Sequence, residues 1–174
     1  DNVGGIVGDS HNGNGNIINC YNTGKIEGNL DYDNYRYVGG IIGYGSSNIA
    51  ISECDNFGTV NVKNDTDGDI YAYVGGIAGQ YAEITKCNNY GNIDVEKVKT
   101  ARVGGIAGGY AKVDKCTNNG DINSYTTDRI FVGGIVGTNG NISDSINNGR
   151  IIAKVGGNTD YVGGITGNSN NVTN

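Results

Sequence analysis

The chain contains no proline, no methionine and no tryptophan, and only one histidine among 174 residues. With His11 alone, no His-Glu-X-X-His zinc site can be assembled, and nucleophile-and-base catalysis finds no support. No apolar run approaches membrane-spanning length, and no signal peptide is recognisable. Basic residues are few and scattered: 12 Lys and Arg against 18 Asp and Glu, a net charge of −6. That excludes a nucleic-acid footprint. Helix starts and 3.6-residue apolar stripes are also missing, so the expected secondary structure is strand and turn.

What is abundant is glycine, with 32 residues. It follows no three-residue period, which excludes a collagen helix. Instead the phrase Val-Gly-Gly-Ile-X-Gly recurs six times, starting at Val3, Val38, Val74, Val103, Val132 and Val162. A second signature, Cys-X-Asn-X-Gly-X-Ile/Val, lies between copies. Its first column reads Cys20, Cys54, Cys87, Cys116 and then Ser145. Its asparagines are Asn22, Asn56, Asn89, Asn118 and Asn147, and an Ile or Val stands three residues before each Cys or Ser. Such regular apolar positions argue against disorder, despite the polar composition.

Repetition at 29 to 36 residues marks a stacked architecture, in which neighbouring units bury each other's apolar faces. Short β-branched runs bounded by Gly, Asn and Asp read as strands with turns. The predicted fold is therefore all-β: a parallel β-solenoid of five to six coils, each with about three short strands, spanning residues 1–174 as one segment of a longer chain. Both Val and Ile of each phrase are expected to point inward. Strict alternation forbids this unless Gly104 and Gly105, and their equivalents, make a bend, where glycine supplies positive φ and leaves room for the coil above. Longer stretches at 9–16, 28–36 and 63–71 are expected as corner loops, and the polar 168–174 end as frayed.

The six copies VGGIVG, VGGIIG, VGGIAG, VGGIAG, VGGIVG and VGGITG resemble the GLUG repeat of bacterial secreted and cell-surface proteins. Proteins with this repeat are typically large and adhesin-like, and some are immunoglobulin A-cleaving metallopeptidases whose repeats lie outside the catalytic domain. The resemblance implies an extracellular β-solenoid segment and names no ligand.

The cysteines are expected to be free, buried thiols. Their gaps do not suit zinc, parallel Cβ vectors do not suit a disulfide, and Ser145 breaks the set. The asparagines are expected to bond turn backbone and one another as a ladder. Asp65-Thr66-Asp67-Gly68-Asp69 resembles part of a calcium loop, but lacks its order and its twelfth-position Glu, so a solvated turn is expected. No two recurring acids suggest sugar-cleaving chemistry.

One column has two readings. Tyr37, Tyr73, Arg102, Phe131 and Tyr161 precede the inward Val, with Tyr35 and Tyr71 two residues earlier. They form either an external stacking ladder or a flat strip for a sugar or protein. The expected function is a non-catalytic structural or adhesive segment, a rigid stalk or display scaffold at a bacterial surface, without cofactor or metal. Its expected partners are neighbouring domains, further repeats, or host or cell-wall glycans and proteins, with neither nucleic acid nor direct membrane insertion. The alternatives are a carbohydrate-binding module on the tyrosine strip and a fibre subunit that associates head-to-tail.

Overall fold

A computed structural model describes residues 2–30, 34–65, 68–157 and 159–173. The chain is an all-β solenoid of about five turns, built from parallel strands stacked coil on coil. One coil is seen whole in the strands Ile93–Gly104, Ala107–Asp114 and Thr117–Asn118. Each belongs to a different sheet, so the coil has three walls. The register is set by the repeat: Val74 pairs with Val103 and Val103 with Val132, while Ile84 pairs with Val113 and Asn89 with Asn118.

Both Val and Ile of the phrase point inward, but into different cores. Val38, Val74, Val103 and Val132 pack with Val60, Ile93 and Ile122. Ile41, Ile77, Ile106 and Ile135 pack with Ile51, Ile84 and the thiols. The Gly-Gly step turns the chain from one core to the other, which resolves the conflict with strict alternation.

Glycine serves this bend by its missing side chain, not by positive φ. No glycine among the described residues has positive φ. A Cβ on Gly105 would lie 2.1 Å from the Gly134 carbonyl oxygen and 2.3 Å from Asn118 Cγ. The next coil and the asparagine column therefore occupy the space that any side chain would need.

The left-handed backbone lies elsewhere. Asn19, Glu53, Lys86, Lys115 and Asp144 have φ between 45° and 54°, each directly before the Cys or Ser column. This corner is taken by non-glycine residues, two of them lysines, at a cost that stacking on both sides sustains. Lys97, with φ 58°, sits at a register shift inside Ile93–Gly104, where the long strand bends around the valine core.

The polar end is paired over its described residues, 168–173. Thr166–Asn168 and Asn171–Thr173 are strands, and Asn171 to Thr173 pair with Asn141 to Ser143. The 9–16 loop closes on itself, with the His11 N–H donating to Asp9 Oδ1 at 2.7 Å. Within the acidic stretch, Thr66 and Asp67 lie outside the described residues, while Asp65 pairs with Lys63 at 2.6 Å and Asp69 with Lys99 at 2.5 Å.

Candidate functional site: stacked polar columns and an aromatic corner

The asparagine column is a continuous ladder. Asn22 donates through Nδ2 to Asn56 Oδ1 at 2.9 Å, Asn56 to Asn89 at 2.9 Å, Asn89 to Asn118 at 2.8 Å and Asn118 to Asn147 at 2.8 Å. The same nitrogen donates to the carbonyl two residues ahead, as Asn89 does to Gly91 at 2.8 Å. Asn56, Asn89 and Asn118 have no exposure, so both amide hydrogens must find partners inside.

The cysteine column makes a second ladder. Cys54 N–H donates to Cys87 Sγ at 3.4 Å, and Cys87 Sγ lies 3.4 Å from the Thr85 carbonyl that accepts from it. At the top Cys116 N–H donates to Ser145 Oγ at 3.1 Å, and that hydroxyl donates to Ser143 O at 2.7 Å. Thiol and hydroxyl thus do one job: each accepts from the preceding coil's backbone and donates within its own. That is why Ser145 can close the column. All four cysteines are free, with Cys54, Cys87 and Cys116 buried. Cys20 is only half-buried, because no coil covers its outer side. Contact with the Cys116 thiol, then burial, pushes the Cys87 thiol up to about 12. The Cys54 thiol is raised too, by the Cys87 contact and by burial. The raised Cys54 and Cys87 thiols oppose nucleophilic chemistry at those two positions, whereas contact with Cys87 lowers the Cys116 thiol.

The predicted aromatic strip is a ladder. Tyr35 stacks on Tyr71 and Tyr37 on Tyr73, each at 5.3 Å. Arg102 bridges the gap: its guanidinium lies 4.7 Å from the Tyr73 ring and 5.3 Å from that of Phe131, which stacks on Tyr161 at 5.0 Å. The strip is not flat and open throughout. Tyr73 is only 5% exposed, and its phenol is pushed up to about 12, chiefly by burial.

What covers it went unread in the sequence. Tyr44, Tyr81 and Tyr110 follow the Gly-Gly bend and return beside the strip, with Tyr44 4.6 Å from Tyr37 and Tyr110 6.2 Å from Tyr73. His11 stacks on Tyr44 at 5.0 Å from its own loop. The available signal was a tyrosine shortly after Ile-X-Gly in three consecutive repeats. Burial raises the Tyr37 and Tyr44 phenols as well.

Residues 2–27 match the model of the GLUG motif. This match covers most of the first turn, from the Val3 phrase through the Cys20 and Asn22 columns to Ile26. The next coil stacks on the matched positions in register: Val3 sits under Val38, and Asn22 under Asn56. No curated protein and no solved structure matches the chain.

Proposed function

We propose that this GLUG solenoid is a non-catalytic scaffold, a rigid stalk or display segment of a secreted or cell-surface bacterial protein. The observation that carries this reading is the unbroken Asn22–Asn56–Asn89–Asn118–Asn147 ladder. Each coil is locked to the next by buried polar bonds as well as by apolar contact, which supports stiffness along the axis. The outer walls are tied in the same direction by pairs such as Glu83–Lys112 at 3.2 Å and Asp121–Arg150 at 3.5 Å. Exposed pairs of this kind add little stability, and they dress the surface for water. An antibody against this chain should label intact producing cells or their culture medium. Detection confined to the cytosolic fraction would refute a surface or secreted role.

The end coils support a second reading, association through the stacking faces. Ile6 is 46% and Val162 51% exposed, although their equivalents in the middle coils are buried. Further coils, a flanking domain or a second copy would cover them, and a head-to-tail contact of this kind builds filaments. Sedimentation of the chain over a wide concentration range tests it. Growth that Ile6→Lys abolishes supports self-association, and a monomer at all concentrations ends it.

A further inference from the structure

We propose that the groove along Tyr81 and Tyr110 binds a neutral, pyranose-based oligosaccharide. This site lies on a different wall from the Tyr37 column, and it stands whether or not the scaffold reading holds.

The backbone gives the first argument. Tyr81 and Tyr110 have φ of 52° and 53°, in the left-handed region that bulky side chains avoid. At the same register position, Asn139 of the following coil has φ 52°, whereas Gly45 of the preceding coil is not left-handed. The bend therefore does not require tyrosine. Two adjacent coils carry a large ring where the amide of Asn139 serves in the next, and strain of this kind collects at functional positions.

The surroundings fix the ligand class. The two ring centroids are 5.1 Å apart, with Tyr44 5.7 Å behind Tyr81. Tyr110 remains 40% exposed. Tyr81 and Tyr110 pack ring against ring, and the half-exposed Tyr110 ring borders the groove, where an aromatic π face attracts the weakly positive C–H face of a sugar ring. Asn139, Asn141 and Ser47 line the same open groove, about 280 Å³ in volume, and supply donors and acceptors for hydroxyls. Glu83 and Lys112 also line it and are paired at 3.2 Å, so the rim offers no unbalanced charge to an acidic ligand. The volume lies at the small end of ligand pockets, which suits one or two sugar rings of a longer chain.

The test is titration of the whole chain with hexamers of glucose, galactose and N-acetylglucosamine, and with oligogalacturonate as the acidic set. Binding is read by calorimetry and by NMR of selectively labelled tyrosines. At least one neutral hexamer should bind and shift the Tyr81 and Tyr110 signals, leaving Tyr90 on the far corner unmoved. Tyr81→Gly and Tyr110→Gly remove the rings and relax the bend. Each should weaken binding by about tenfold or more. Circular dichroism checks that the fold is kept, and the ring shifts in the unaltered chain decide the matter if a variant unfolds. Binding only of the acidic oligomer, no binding at millimolar concentration, shifts confined to other tyrosines, or folded glycine variants that bind normally would each overturn the proposal.

Discussion

Asn89 Nδ2 lies 2.8 Å from Asn118 Oδ1 and 2.8 Å from the Gly91 carbonyl, donating to both from a position with no access to water. One side chain thereby joins two coils and closes its own turn. Asn89→Ala leaves the Gly91 carbonyl and the Asn118 oxygen without these donors. Equilibrium urea unfolding should show a loss of about 2–4 kcal/mol. Asn89→Asp should be worse at neutral pH, since it sets a buried carboxylate against two acceptors, and should recover partly on acidification. A loss below about 1 kcal/mol for both variants would mean that the ladder is decorative.

Gly105 and Gly164 occupy the same place in the phrase, but only one is covered. A Cβ on Gly105 meets the Gly134 oxygen at 2.1 Å, while a Cβ on Gly164 meets nothing within 4 Å. Gly105→Ala should therefore cost about 3 kcal/mol or more through forced displacement of the next coil. Gly164→Ala should change stability by less than about 0.5 kcal/mol. Similar melting shifts for the pair would disprove the steric account of the phrase.

Exchanges at Cys87 separate packing from hydrogen bonding. Serine keeps the donor and acceptor roles that Ser145 already fills, so Cys87→Ser should cost under about 1.5 kcal/mol. Valine fills the space but leaves Cys54 N–H unpaired, so Cys87→Val should cost about 1–3 kcal/mol more than serine. A thiol reagent should modify Cys20 first in the native protein and the three buried thiols only on unfolding.

Alkaline pH should weaken the fold. Cys87 ionises near 9.0 when exposed and near about 12 in place, and Tyr73 moves from 10.0 to about 12. A raised acid favours the native state while it stays neutral in both states. The unfolded chain ionises first, so stability is full below pH 9.0 and is lost as pH rises toward about 12. Melting temperature against pH should fall through that window, and Cys87→Ser should make the fall shallower.

Arg102 replaces an aromatic residue in the outer ladder and sits between the rings of Tyr73 and Phe131. Arg102→Tyr should hold stability within about 1 kcal/mol of the parent, whereas Arg102→Ala should lose about 1–2 kcal/mol of stacking and stem packing. Equal values for the two would show that the ladder contributes nothing at this rung.

Much of this was legible in the sequence because stacking copies chemistry from coil to coil. Val74 over Val103 and Asn89 over Asn118 follow from spacing alone, since equal residues at equal phase must meet in a parallel stack. The corners were less legible. Lys86 and Lys115 carry the left-handed turn with no Gly or Asn to announce it, because their neighbours above and below impose the conformation. Of the two reasons for the Gly-Gly bend, room for the next coil holds and positive φ does not, since crowding by Asn118 leaves the same mark in sequence as positive φ. Tyr81 and Tyr110 escaped because their position varies through Gly45 and Asn139. A column that changes residue type does not show as a column.

The stacked ladders also determine how the chain yields to force. Their hydrogen bonds run along the stacking axis, while the chain itself winds around it. A pull on the two termini acts on the outermost coil and opens its rungs one after another, leaving the coils behind it intact. Each coil rises only about 4.8 Å along the stack. Released, its 29 or more residues extend to roughly 100 Å. Under load such a segment pays out length coil by coil, in steps about twenty times the folded rise. A solenoid of this build is short and stiff at rest, and under a sudden pull it lengthens before it passes on the full force.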